Sequence, residues 1–251
     1  MQKMRFDLTF VDARRRQDHI AAVAYIHLRK ACEWIDLARI LGAEIIQVPA
    51  SFDHNSLSVS DDQIIEELRH LADAGLPGEG TDEATVTMAY DPMSWSVRSN
   101  AWQHALDLKH RVSRPNFKLC LDTYHILSKL WAHCTMPNGR IPGATKRSND
   151  AERMDPPVPH QELRSMGKHY AWHWSGVGRI FPLEAECGAY LPMLDIVRTW
   201  LVDLGWSGWV SMEISHHSMD EEERGPRYWA ERGMKSWERL QKALTSSEPT
   251  N

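Results

Sequence analysis

Short apolar runs of strand length alternate with longer helical patterns along this chain, and this alternation restricts the fold more than any other feature. The predicted strands lie at residues 5–10, 44–49, 85–90, 117–121 and 209–212. Strand–helix units in this order pack as parallel α/β structure with right-handed connections. The sequence therefore predicts an α/β barrel, although a closed barrel of this class has eight strands.

Six predicted helices accompany these strands. Apolar residues recur with helical spacing at residues 18–41, 60–75, 99–112, 123–131, 190–204 and 227–244. Gly42 follows the first helix in the position of a C-cap, and Ser60, with two aspartates after it, is typical of the start of the second. From residue 133 to residue 168 the chain is rich in Pro, Gly, Asn and charged residues, so no strand is predicted there.

Length, charge and cysteine content narrow the class of protein. With 251 residues, a net charge of −5 and interspersed acidic and basic residues, the chain suits one domain (1–251) without a nucleic-acid-binding surface. No apolar stretch approaches the roughly 20 residues that would cross a membrane. No signal-peptide core follows the first residues, and the four cysteines are far apart in sequence. We therefore expect a cytoplasmic protein with free thiols.

Acidic residues follow three of the predicted strands. Asp91, Asp122 and Glu213 each come directly after an apolar run. In a barrel the carboxyl ends of the strands meet at one mouth, where carboxylates repel one another unless a cation lies between them. The pattern predicts a site for a hard divalent cation such as Mg²⁺ or Mn²⁺. For Asp122 alone, the N-cap of the following helix is an equal alternative.

Several motifs resemble one family closely. They are LCLDTYH (119–125), DAERM (150–154) and GWVSME (208–213), supported by LGAEIIQVPA (41–50), RPNF (114–117), GAYLP (188–192) and ERGMKSW (231–237). In this combination and order they resemble the 3-dehydroshikimate dehydratases. That family belongs to the sugar-phosphate isomerase/epimerase-like group, which has a xylose isomerase-type TIM barrel. The resemblance extends over nearly the whole chain.

The resemblance implies a site with four metal ligands and two catalytic residues. Asp122 matches the second ligand and Glu213 the fourth, while Asp91 stands where the family usually has glutamate and is shorter by one methylene, about 1.5 Å. His125 matches a histidine assigned to proton transfer. Arg153 matches an arginine that holds the substrate or its developing negative charge. The implied cofactor is a divalent metal ion: Mg, Mn or Co.

Two departures from the family are visible. The spacing places Arg147 at the third ligand, where a guanidinium cannot bind a metal, and His173 is the alternative. The sequence begins where the family's third strand would lie, and the strand before Asp150 is missing. We therefore expect an incomplete barrel that lacks its first two strand–helix units. Such a barrel exposes strand edges, which leaves homo-oligomerisation open.

By this resemblance the chain is a lyase that acts on a small molecule. The implied reaction is dehydration of 3-dehydroshikimate to protocatechuate through a metal-stabilised enolate, in quinate and shikimate catabolism. Two alternatives stay open. The same carboxylates would serve a sugar or sugar-phosphate isomerase or epimerase, and the missing segments are compatible with a catalytically impaired remnant barrel.

Overall fold

The chain forms two compact units, residues 1–126 and residues 127–251. The computed structural model describes residues 4–5, 17–52, 59–136, 139–141 and 169–246. Among the described helices, none combines the length and the apolar character that crossing a bilayer requires.

The first unit is a parallel sheet with helices between its strands. In chain order its elements are β1 (Met4–Arg5), α1 (Gln17–Leu41), β2 (Ile45–Pro49), α2 (Asp61–Ala74), β3 (Thr87–Asp91), α3 (Trp102–Val112), β4 (Phe117–Leu119) and α4 (Thr123–Leu130), which runs into the second unit. The strands lie side by side in the order β1-β2-β3-β4, and every neighbouring pair is parallel. This is the predicted arrangement of repeated strand–helix units.

Local sequence fixes the ends of the first two complete helices. After α1 the chain turns at Gly42, whose φ of +66° suits glycine because it has no Cβ. At the start of α2, Ser60 and Gln63 form a capping box. The Gln63 amide donates to Ser60 Oγ (3.2 Å) and the Ser60 amide donates to Gln63 Oε1 (3.0 Å). The predicted start of this helix is confirmed.

The core of the first unit lies where the helices cover the sheet. Apolar side chains that are at least nine-tenths buried come from every element between α1 and β4; they include Ile35, Val48, Leu68, Met88, Leu108 and Phe117. Phe117 is fully buried, and its ring centroid lies 6.0 Å from that of Tyr90. The core therefore fixes β3 and β4 side by side, and with them the residues at their carboxyl ends.

The second unit is mainly helical in its described part. After α4 come α5 (Tyr170–Val177), β5 (Gly178–Arg179), α6 (Met193–Arg198), β6 (Ser215–His216) and α7 (Pro226–Thr245). A π-helical turn, Thr199–Asp203, extends α6. β5 and β6 pair antiparallel, with Arg179 opposite Ser215.

One predicted strand in the second unit is wrong. Residues 209–212 form no strand, and the described part of the chain places the two-residue strand β6 after them instead. Trp209 and Val210 are exposed by 67% and 44%. Their apolar run predicted a buried strand, but a strand also needs a hydrogen-bonded neighbour, and within the described residues this segment has none.

Candidate active site

Two of the predicted metal ligands lie at the carboxyl ends of neighbouring strands in the first unit. Asp91 is the last residue of β3. Asp122 comes three residues after β4, and the Cys120 amide donates to the Tyr90 carbonyl (2.8 Å), so the two chains still run together there. The parallel register of β3 and β4 thus places both aspartates at the carboxyl end of the sheet, and their role as metal ligands stays a prediction.

Asp91 is a buried carboxylate with a defined donor. Its side chain is 1% exposed, and Gln47 Nε2 on β2 donates to its Oδ2 at 2.5 Å. A buried charge is tolerated only when hydrogen bonds or opposite charges compensate for the lost hydration.

The buried surroundings of Asp91 also change the pKa of the adjacent Tyr90. Burial raises the pKa of Tyr90 to about 12, and the Asp91 charge adds to the rise. Tyr90 therefore keeps its proton at neutral pH.

Asp122 has both of the roles that the sequence left open. Its Oδ1 accepts the Tyr124 amide at 2.7 Å, which is a capping contact at the start of α4. Its Oδ2 lies 3.7 Å from His125 Nε2. One oxygen therefore stabilises the helix start while the other faces the imidazole.

His125 is held on several sides. It is 3% exposed, and its Nδ1 accepts the Ser94 amide at 3.2 Å. The Trp95 ring packs edge-on against it with 4.6 Å between centroids. Because a backbone amide can only donate, Nδ1 must be the unprotonated nitrogen in this arrangement. The neutral ring then carries its proton on Nε2, the atom that faces Asp122.

The loop that supplies Ser94 and Trp95 is anchored to the rest of the first unit. Ser96 Oγ and the Val97 amide both donate to the Ser51 carbonyl, at 2.6 and 3.3 Å. Arg98 forms an ion pair with Asp61 at the start of α2, and His104 Nε2 lies 3.4 Å from the same carboxylate. These contacts fix the loop conformation on which the position of His125 depends.

We expect Asp61→Asn to lower stability by about 1 kcal/mol at pH 7. The Arg98 hydrogen bond, opposed by desolvation and supported by His104, lowers the pKa of Asp61 below its ordinary 3.8. A carboxyl group whose pKa falls on folding stabilises the fold above its unfolded pKa, and this stabilisation is lost as pH decreases through the folded pKa. Urea unfolding from pH 7 down to pH 2.5 should show the two proteins converging in acid. Asp62→Asn, an 87% exposed neighbour, is the control and should shift stability by less than about 0.5 kcal/mol.

Glu213 and His173 lie in the second unit. Glu213 precedes β6, is 40% exposed, and has its Oε1 3.6 Å from Nη1 of the buried Arg179. His173 on α5 is 8% exposed, and its Nε2 has no hydrogen-bond partner among the described residues. Arg147 and Arg153 lie outside the described residues.

The donor set fits a hard divalent cation by its chemistry, since the predicted ligands offer carboxylate oxygens and no thiolate. In the part of the chain that the structure describes, no three His, Cys, Asp or Glu side chains are grouped as a metal site. The structure thus brings Asp91, Asp122 and His125 into one unit and leaves the complete ligand set a prediction.

Three residues near the site were not predicted from sequence: Gln47, Ser94 and Trp95. Gln47 had a usable signal, because it is the one polar residue in the run Ile45–Pro49. Ser94 had none, since it acts through its backbone amide. Trp95 lies in an irregular loop, where a tryptophan is not informative by itself.

Comparisons with known proteins agree on the architecture. The family model described as a xylose isomerase-like TIM barrel matches residues 25–240. A solved structure, the xylose isomerase-like TIM barrel/4-hydroxyphenylpyruvate dioxygenase fusion protein, superposes with a TM-score of 0.59 at 20% identity and covers 94% of this chain and 34% of its own. That likeness supports the fold alone.

Two curated relatives are named 3-dehydroshikimate dehydratase. The protein from Neurospora crassa is 35% identical over 240 residues, which is 85% of this chain and 65% of that protein. The protein from Pseudomonas aeruginosa is 28% identical over 103 residues, which is 41% of this chain and 15% of that protein. The chain thus spans less than two thirds of the length of either relative.

Proposed function

Because the chain belongs to the xylose isomerase-like TIM barrel family, we propose that it is a lyase that dehydrates 3-dehydroshikimate to protocatechuate. The observation that carries this proposal is the 35% identity to the Neurospora crassa dehydratase over 85% of the chain. The substrate is a small molecule.

We infer a single barrel domain, residues 1–251, because the matched region runs through both units. A cytoplasmic location is consistent with four free cysteines.

We propose that Asp91, Asp122 and Glu213 hold a divalent cation, Mg²⁺, Mn²⁺ or Co²⁺. The family is one of metal-dependent enzymes in general. The positions of Asp91 and Asp122 at the ends of neighbouring strands support this assignment. When bound, the cation would polarise the carbonyl oxygen of the substrate.

His125 is the proposed acid–base residue. In the neutral ring Nε2 carries the proton, and this atom lies 3.7 Å from Asp122 Oδ2. Ser94 Oγ lies 3.4 Å from Nδ1 and can accept a hydrogen bond from that nitrogen when it carries a proton. Loss of water requires a proton to leave carbon and another to reach the departing hydroxyl group, and an imidazole is a side chain suited to such transfers.

Arg153 is proposed to hold the substrate carboxylate. The substrate is an anion, and a guanidinium binds a carboxylate through two parallel hydrogen bonds. Arg153 lies outside the described residues, and its role comes from the resemblance of residues 150–154 to the family motif.

Turnover in the presence of added metal tests the proposal directly. Purified protein with Mn²⁺, Mg²⁺ or Co²⁺ should convert 3-dehydroshikimate to protocatechuate, followed by the absorbance of the product. Glu213→Ala should reduce turnover at least about 100-fold, since changes outside the ligand shell alone cost 10–100-fold. Glu186→Ala, an exposed acid of the same unit, is the matched control and should retain full turnover.

Three other outcomes of this experiment would lead to different conclusions. No turnover by the unaltered protein with any of the three metals would contradict the dehydratase and favour the impaired remnant. Turnover that survives Glu213→Ala would retain the reaction and contradict the assigned ligand. Activity on sugars or sugar phosphates in place of 3-dehydroshikimate would favour the isomerase or epimerase alternative.

A further inference from the structure

Gln47 is a buried amide in an otherwise apolar strand. It is the central residue of β2, between Ile46 and Val48, and only 4% of its surface is exposed. A buried amide without partners is costly, so a glutamine at such a position has to satisfy its donors within the protein. The described contacts show where one of those donors points.

The Gln47 amide crosses from β2 to the end of β3. In the parallel register Gln47 lies opposite Ala89, while Pro49 lies opposite Asp91. The side chain therefore reaches two residues along the neighbouring strand, where Nε2 donates to Asp91 Oδ2 at 2.5 Å. The Ala50 amide also donates to the Asp91 carbonyl at 2.9 Å. Gln47 in β2 thus holds the carboxylate of Asp91, and Ala50 just after β2 holds its backbone.

We propose that Gln47 is a positioning residue that fixes the Asp91 carboxylate for cation binding. The inference depends on the metal site of the proposed function. A short aspartate side chain at a strand end has two rotatable bonds, and a buried donor restricts both of them by holding one oxygen. Carboxylates that bind metals depend in this way on hydrogen bonds from residues outside the ligand shell. Gln47 acts through Asp91 and does not itself contact the cation.

Manganese binding to substitution variants tests this role without using turnover. Gln47→Met preserves the length of the side chain and removes the donor, and Gln47→Asn keeps an amide that is one methylene too short. Both should weaken Mn²⁺ binding about 10–100-fold, measured by calorimetry and by the electron paramagnetic resonance of free Mn²⁺. Circular dichroism at the titration temperature checks that each variant is folded. If Gln47→Met fails to fold, Gln47→Asn decides the outcome.

Asn116→Leu is the matched control for loss of a buried amide. Asn116 is 3% exposed, and its Nδ2 donates to the carbonyls of Ala72 and Val86 in the same unit. This variant should lose stability and keep its Mn²⁺ affinity within about twofold. Unchanged affinity in a folded Gln47 variant would overturn the positioning role alone. No Mn²⁺ binding by the unaltered protein would instead overturn the metal site, and the role of Gln47 with it.

Discussion

His125→Asn is expected to lower kcat for 3-dehydroshikimate dehydration about 10²- to 10⁴-fold, the usual contribution of a positioned acid–base group. Asparagine places an oxygen near the position of Nδ1, so it can still accept the Ser94 amide. It cannot take up or release a proton near neutral pH. The fold around the site should survive while proton transfer is lost. Initial rates across a range of substrate concentrations should show KM changed far less than kcat.

His104→Asn is the control for this substitution. His104 is another histidine of the first unit beside an aspartate; it is partly buried, with Nε2 3.4 Å from Asp61 Oδ2. Arg98 stays paired with Asp61 when His104 is replaced, so the loop keeps its anchor and kcat should stay within about threefold of the unaltered value. Equal losses in both variants would show that His125 matters only for structure.

Glu184→Gln should destabilise the protein by about 3 kcal/mol, because removing one member of a buried ion pair leaves the other charge uncompensated. Arg232 on α7 donates to both oxygens of Glu184, from Nε at 2.8 Å and Nη2 at 2.5 Å, and the two side chains are 14% and 6% exposed. The hydrogen bond to Glu184 also raises the pKa of Arg232 above its ordinary, already high value, so the guanidinium keeps its charge. Urea unfolding should show a lower midpoint with an unchanged slope.

Glu186→Gln measures the same change at the surface. Glu186 pairs with Arg239, and these side chains are 57% and 46% exposed. Exposed pairs typically contribute between 0 and about 1 kcal/mol because water and salt screen them. A loss in Glu184→Gln no greater than in Glu186→Gln would mean that the buried pair contributes little to the stability of the second unit.

The strands and helices of the first unit could be predicted because each carries its own signal. Between Gln17 and Leu130 the predicted and observed elements agree to within a few residues. In α2 both ends were readable, from Ser60 before it and Gly75 after it. Strong apolar periodicity and local caps need no knowledge of distant residues, so one sequence is sufficient to locate such elements.

The second unit was less predictable because its elements depend on distant partners. The apolar run at Trp209 and Val210 predicted a strand, yet both are exposed and Glu213 does not end a strand. The helix α5 was not predicted, since its aromatic run has no apolar stripe of helical spacing. Whether a short apolar segment becomes strand, helix or coil depends on what packs against it.

The positions of Asp91 and Asp122 after strands, and of His125 in the first turn of α4, could be predicted from the sequence, while their roles in a site stay predictions. An acidic residue directly after an apolar run of strand length is visible in the sequence. The structure places Asp91, Asp122 and His125 in one unit. The residues that orient them were not predictable in the same way. A hydrogen bond from Gln47 to the next strand depends on the register between β2 and β3, and sequence spacing within either strand does not contain that register.

Ser94 contributes to the site through an atom that every amino acid but one possesses. Its backbone N–H is the donor to His125 Nδ1, and only proline lacks that hydrogen. Relatives could therefore carry many different side chains at this position and still select the same imidazole tautomer, provided that the loop follows the same path. A comparison that scores residue identity would rate position 94 as variable, although the shape of its main chain is constrained.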